Sequence, residues 1–334
     1  MDGNMFSAKH HSRFQKSLEM LILLFIFNIC YADTPKSYDV QGPLSEPKIF
    51  AEGVISTGDY DSHPAFSPDG NTLFFVKMGP DLSKWTIFVS NFQNGKWSNP
   101  EIAPFSGHYW DADPSFDKDG NTLYFISSRP LKEGDPPKDF DIWKIEKSSG
   151  FSKPVRLESP INSEASEYYP TLTDDGTMYF GSRRKDGKGK SDIYVSRFVN
   201  GKYNTAENLG DSINTAGNEF EPFIARDESF LIFMATPSES LDEADFYISY
   251  NDKGNWSKAV KLPEPFNSGV TEFSPKVTPD GKYFFFSSNR NSQPQINKQE
   301  TTAEMMKRIR SAGNGLCDIY QVDFSALQNA LKKN

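Results

Sequence analysis

The chain reads as an all-β protein, a β-propeller of four-stranded antiparallel blades. Three observations predict this fold. A turn motif recurs five times, as HPAFSPDGNTLFF at 63–75, DPSFDKDGNTLYF at 113–125, YPTLTDDGTMYF at 169–180, EPFIARDESFLIF at 221–233 and SPKVTPDGKYFFF at 274–286. Its aspartates, Asp69, Asp119, Asp175, Asp227 and Asp280, are spaced 50, 56, 52 and 53 residues apart. Each copy is followed by an aromatic-rich apolar run and then by two further strand-like segments. A period in this range marks a radial or stacked repeat, because one unit of this size cannot bury its own apolar face. Radial packing of four-stranded units makes a propeller; a β-solenoid is the alternative.

Each repeat divides in the same way. Its first strand is short and is read here as beginning at a proline: Pro64, Pro114, Pro170, Pro222 and Pro275. A tight turn follows, in which proline presets φ and glycine accepts a positive φ, as in Pro68-Asp69-Gly70. The fourth copy has Glu228 where the others have glycine, so its turn is expected to be strained or of another type. The second strand is a continuous apolar run, such as Leu73–Val76 or Tyr283–Phe286, which suits a strand buried on both faces. The third reads Asp-Ile-Tyr or a near equivalent, at Asp141, Asp192, Asp245 and Asp318, with Thr86-Ile87-Phe88 in the first repeat. Asn94-Gly95, Asn200-Gly201 and Gly254-Asn255 then favour two-residue hairpins. The outer strand is expected at Lys96–Pro100 and Asn255–Ala259, where proline is tolerated because an edge strand need not donate on its outer side.

The fifth repeat stops after Asp318–Asp323 without an outer strand, and Ser45–Phe50 resembles the missing piece. Pairing of this segment with the last blade would close the ring and leave no exposed edge. Five blades are expected, with six possible. The connection from Asn291 to Leu316 breaks the repeat: Thr301-Thr-Ala-Glu304 is a capping start, and Ala303, Met306 and Ile309 share a helical face up to Gly313. Insertions of this kind often shape a binding site.

The N-terminus reads as an export signal. Lys9, Arg13 and Lys16 precede the apolar Met20–Phe27, and Cys30-Tyr31-Ala32 is a cleavage site before Asp33. The expected organisation is a signal peptide at 1–32, a linker at 33–45, the propeller at 46–325 and a C-terminal tail at 326–334. Localisation is then periplasmic or secreted, with no stable membrane insertion after cleavage. The apolar run is short for a span, and Ile29 stands where a lipoprotein signal needs a small residue. Once the signal is removed only Cys317 remains, so no internal disulfide can form. The net charge of −9 and mean hydropathy of −0.60 argue against nucleic acid as a partner and against a polytopic membrane protein.

The Phe-Ser-Pro-Asp-Gly turn, the Ser-Ser-x-Arg at 287–290 and the Asp-Ile-Tyr strand resemble the WD-like propeller repeats of the TolB type. The resemblance covers about residues 46–325 and implies fold more than function, since such blades serve many roles. The chain departs from the members of that group that carry more. It has no TolB-like N-terminal domain, no Gly-x-Ser-x-Gly elbow or peptidase domain, and no OmpA-like domain.

Function is expected on the face where each innermost strand begins. An acidic residue precedes each blade's proline by three positions: Asp61, Asp111, Glu167, Glu219 and Glu272. His63, Asp113 and Glu221 add to this ring, aromatics are interleaved at Tyr109, Trp110, Tyr168, Phe220 and Phe273, and the second strands end near Arg129, Arg183 and Arg290. Five-fold recurrence favours a scaffold role for the carboxylates; a ligand-binding channel mouth is the sharper reading. An envelope or extracellular protein, a peptide or a glycan is the expected partner of a monomeric, non-catalytic binder without cofactor or metal. The alternative is a glycoside hydrolase in which Asp61, Asp111 and Glu219 converge and Trp110 stacks a sugar. Asp117-Lys-Asp119-Gly-Asn121 lacks the spacing of a calcium loop, and no sialidase Asp-box is present.

Overall fold

In a computed structural model the chain is described over residues 36–333, apart from 80, 82, 133, 138 and 237–243. The export signal read at 1–32 lies outside the described residues. Five antiparallel blades are present. The first is built from Tyr60–Phe66, Thr72–Met78, Thr86–Gln93 and Glu101–Ile102, and the second from Asp111–Phe116, Thr122–Ser127, Asp141–Glu146 and Val155–Arg156. The third comprises Glu167–Leu172, Met178–Ser182, Asp192–Ser196 and Glu207–Asn208, and the fourth Asn218–Ile224, Phe230–Thr236, Asp245–Asp252 and Val260–Lys261. The fifth takes Glu272–Val277, Tyr283–Ser288 and Asp318–Asp323 from the C-terminal repeat and Lys48–Ile49 from the N-terminal side.

The clasp is therefore as expected, with Lys48 opposite Gln321 and Ile49 opposite Tyr320. Its packing reaches beyond the strand. Phe50 lies edge-on to Phe66 and Phe285, at 5.6 and 5.1 Å between centroids, and fills the junction between the fifth and first blades. Tyr38, inside the segment read as linker, is fully buried 5.0 Å from Phe66. Residues 324–333, most of which were read as a tail, form a helix whose Phe324 and Leu327 are buried against the fourth and fifth blades.

Two strand boundaries differ from the sequence reading. The innermost strands begin three or four residues before the proline, not at it. In all five blades the pairing register shifts across the residue before the proline and the proline itself. The preceding residues, His63, Asp113, Tyr169, Glu221 and Ser274, have φ of 54°, 54°, 51°, 49° and 57°. Proline suits this bulge because it has no N–H to lose from the ladder. The outer strands also lie further along the chain. Lys96–Trp97 and Asn255–Trp256 only extend the third strand as a hairpin, and the blade edge is Glu101–Ile102 or Val260–Lys261.

Among the recurring turn aspartates, Asp69, Asp175, Asp227 and Asp280 are structural. The Thr173 hydroxyl and the Thr177 N–H both donate to Asp175, at 2.5 and 3.0 Å, and hold its carboxyl below the usual range. In the second blade the equivalent bonds are made not by the recurring Asp119 but by Asp117, which accepts from the Asn121 and Thr122 N–H groups at 2.9 and 3.1 Å. Glu228 keeps the same turn as its glycine counterparts, at φ 63°. Its carboxylate is held in place by the Tyr179 hydroxyl and the Arg197 guanidinium.

Candidate functional site

The carboxylate ring sits where the strands enter, but it does not face solvent. Asp61, Asp111, Glu167, Glu219 and Glu272 are 0–1 % exposed. Each secures the loop that leads into its own blade. Glu272 accepts from the Ser268 N–H at 3.2 Å and from the Ser268 hydroxyl, and Glu167, Glu219 and Asp61 repeat this with Ser163, Thr215 and Thr57. Asp111 uses Ser106, at 2.8 Å. The carboxylates' own N–H groups bond to the preceding blade, Asp111 to Trp85 and Glu167 to Phe140, both at 2.9 Å. Asp61, Asp111 and Glu219 thus have their acceptors committed within the scaffold, and none opens onto a cleft as a hydrolytic acid or base would need to.

Cations pair with Asp61, Asp111, Glu167 and Glu272 of this ring. Arg129 meets Asp111 at 2.8 Å and Arg290 meets Glu272 at 2.8 Å. In the third blade the equivalent partner is Arg184, 3.5 Å from Glu167, while Arg183 lies over the Tyr168 ring at 5.5 Å. The chain contained the signal for this: Arg129, Arg184 and Arg290 each stand two residues after the serine paired with the carboxylate. Lys77 serves Asp61 at 2.6 Å, a partner the sequence reading missed. Burial raises Asp61, Glu167 and Glu219 above the ordinary carboxylate range despite these hydrogen bonds.

Two residues further along each strand, the five bulge positions converge on the axis. His63 Nε2 is 3.2 Å from Asp113 and 3.5 Å from Glu221. The Tyr169 N–H donates to Asp113 at 2.9 Å, the Ser274 N–H donates to Glu221, and the Tyr169 hydroxyl donates to the Pro275 carbonyl at 2.9 Å. Contacts between non-neighbouring blades of this kind are possible only at the centre of a ring. Burial opposes charge on His63, but the Glu221 hydrogen bond and the Asp113 carboxylate outweigh it and raise its pKa. Burial pushes Asp113 up to about 6. His63 and Asp113, with the half-buried Glu221, therefore form a plug two residues inward from the surface on which the sequence reading placed them. Among the described residues no group of three or more His, Cys, Asp or Glu side chains is arranged to hold a metal ion.

Beyond the plug the axis opens toward the opposite face, that of the hairpin turns. The residues after the prolines, Ala65, Ser115, Thr171, Phe223 and Lys276, line a cavity of about 280 Å³ whose rim includes Asp174, Arg226 and Pro279. On the strand-entry face the accessible feature is instead a row of aromatics. Trp85 stacks on Phe140 at 5.3 Å and lies 5.6 Å from Trp110; Phe140 is 5.8 Å from Tyr168. Trp110 is 39 % exposed and the other three are half-buried. Trp110 and Tyr168 were singled out in the sequence; Trp85 and Phe140 were not, since only the fold brings the third-strand starts beside the first-strand starts. Among the described residues the Trp85 and Phe140 positions are aromatic only in the first two blades, with Ser191 and Cys317 in the equivalent places of the third and fifth, whereas the Tyr168 position continues as Phe220 and Phe273.

The insertion is also a feature of this face. Thr302–Ile309 is a helix with the expected capping box from Thr301 and Glu304, and none of its residues is buried. It does not cover an apolar patch. It borders a groove of about 600 Å³ with Ile49 and Glu52.

No family model and no curated protein matches the chain. Solved structures similar to it include TolB from Acinetobacter baumannii, at 17% identity and a TM-score of 0.46 over 79% of this chain and 54% of that one. Kuenenia stuttgartiensis hydrazine synthase is 13% identical with a TM-score of 0.48, over 80% of this chain and 41% of the other. The α-L-arabinofuranosidase from Lactobacillus brevis is 11% identical with a TM-score of 0.46, over 81% and 92%. The chain thus spans about half the length of TolB and less of hydrazine synthase. The likeness concerns fold alone, and the blade count and closure rest on the strand pairing itself.

Proposed function

We propose that this propeller is a non-catalytic binding protein that recognises a glycan across the Trp85–Trp110–Phe140–Tyr168 row. The observation that carries this reading is the row itself: four rings from three blades, contiguous and partly exposed, joined by Trp85 and Phe140. The repeated carboxylates on this face secure the scaffold, so a ligand has to be read by other residues, of which Trp85 and Phe140 are peculiar to the first two blades. Sugar rings present apolar C–H faces that stack on indole and phenol rings, and polar groups at the border supply orientation. Arg183, held over Tyr168, and the exposed His108 beside Tyr109 stand at that border.

The reading is tested by a glycan array probed with the chain and with Trp110→Ala. Loss of the stacking ring should weaken the best glycan by about tenfold without changing Tm. Failure to bind any glycan, with binding instead to an immobilised peptide panel, would move the proposal to a peptide ligand. Equal binding by Trp110→Ala would remove the row from the site. Export through residues 1–32 belongs to the same proposal, and secreted protein beginning at Asp33 would support it.

A further inference from the structure

The axial cavity on the hairpin-turn face lies away from the aromatic row and has its own chemistry. Its walls are largely apolar, with Phe116, Leu172 and Ile224 among them, yet two cations line it. Lys276 rests over the Tyr169 ring, 4.0 Å from its centroid. Among the described residues its ammonium has no hydrogen-bond acceptor and no carboxylate within ion-pair distance. Among the described residues Arg226 is also without an ion pair. It spends donors on the carbonyls of Phe116, Leu172 and Asp117, at 2.9, 3.4 and 3.4 Å. A desolvated cation without a partner is costly to bury, and proteins ordinarily supply an anion for it.

From this geometry we infer that the cavity binds a small monocarboxylate with an apolar body, its carboxylate on Lys276 and its body against the apolar walls. Charge and size select this class. Asp113 and Glu221 lie beyond Lys276 around His63, and Asp174 and Asp227 stand at the rim, so a dianion such as phosphate would meet repulsion from both ends. A monoanion balances Lys276, with Arg226 offsetting the rim. A volume of about 280 Å³ lies just below the usual range for small-molecule sites and suits a compact ligand. The carboxylate can belong to a free acid or to the C-terminus of a peptide. Burial holds Lys276 down to about 7, with Asp113 and Glu221 opposing that shift and Arg226 adding to it. An arriving carboxylate should therefore draw a proton onto it.

Isothermal titration of the whole chain separates these outcomes, using benzoate, butyrate and an apolar hexapeptide with a free or an amidated C-terminus. Binding of benzoate or butyrate, weakened about tenfold or more in Lys276→Met, supports the free-acid form. Binding of the free but not the amidated peptide alone assigns the same chemistry to a chain end. Heats measured in phosphate and in Tris near neutral pH should differ, reporting proton uptake, and that difference should vanish in Lys276→Met. This variant removes an unpaired, half-buried charge, so its Tm should not fall. No binding by any probe up to about 10 mM, or equal binding by Lys276→Met, would overturn the inference. Trp110→Ala leaves this cavity untouched, so failure of the glycan reading and failure of this one are distinguishable.

Discussion

Replacing Ile49 with lysine should stabilise the ring, and the reason lies in a pairing rule that the clasp breaks. In the second blade Arg156 stands opposite Trp143 and reaches Asp141 at 2.7 Å. In the third, Asn208 stands opposite Tyr194 and donates to Asp192 at 2.6 Å. In the fourth, Lys261 stands opposite Tyr247 and meets Asp245 at 2.5 Å. The first blade has neither partner, with Thr86 for the aspartate and Ile102 on its edge. Only the fifth keeps the acid, Asp318, and places an apolar residue, Ile49, in the partner position opposite Tyr320. Asp318 is 1 % exposed; one oxygen accepts from the Gly313 N–H at 2.7 Å, and the other has no partner among the described residues. Burial pushes its pKa up to about 7, with the Asp61 and Glu52 carboxylates adding to the effect.

The sign follows from proton linkage. A carboxyl whose pKa is higher in the folded than in the unfolded chain holds its proton more tightly when folded. Its contribution is present below its unfolded pKa, near 3.8, and is lost as pH rises through about 7. The wild-type chain should therefore be less stable at pH 8 than at pH 5. A lysine at 49 supplies the orphaned oxygen at high pH, a gain of about 1–3 kcal/mol. Losing the half-buried isoleucine costs about 1 kcal/mol, part of which the lysine stem recovers by covering the same surface. The net is a gain of about 1–2 kcal/mol at pH 8, or a rise in Tm of roughly 2–4 °C, and little or none at pH 5. Thermal unfolding of wild type, Ile49→Lys and Asp318→Asn at both pH values measures this, with Asp318→Asn expected to flatten the profile. A fall in Tm for Ile49→Lys that is equal at pH 5 and pH 8 would refute the reasoning.

Three further outcomes follow from the same packing. Phe50→Ala should cost about 3–5 kcal/mol, because its ring fills the junction between the last and first blades; denaturant unfolding would show it. Arg290→Met should cost about 3–5 kcal/mol by leaving buried Glu272 without its cation, whereas Arg183→Met should change stability by less than about 0.5 kcal/mol; paired urea melts discriminate the two. Replacing 296–309 with a short Gly-Ser loop should leave Tm nearly unchanged, since the helix it removes buries none of its residues, whereas Ala312 beyond it is buried.

Much of the fold was legible along the chain because its determinants are local and repeated. The proline-to-turn segments, the aromatic second strands and the capping box at Thr301 each specify an element from neighbouring residues alone. The clasp was legible by subtraction, since one blade lacked an edge and one segment lacked a blade. What the sequence could not settle was which end of each side chain is buried. Asp61, Asp111, Glu167, Glu219 and Glu272 look like an exposed acidic rim when read by charge, and closure of the ring buries them against their own loops. The bulge before each proline escaped the sequence reading because a positive φ at His63, Asp113, Tyr169, Glu221 or Ser274 is imposed by the sheet, not by the residue. The same is true of the site. Trp85 and Trp110 are far apart in strand order, and Lys276 is one lysine among many, until five strands meet at one axis. Repetition, local by nature, was therefore readable in the chain, while the aromatic row and the unpaired ammonium are products of long-range convergence.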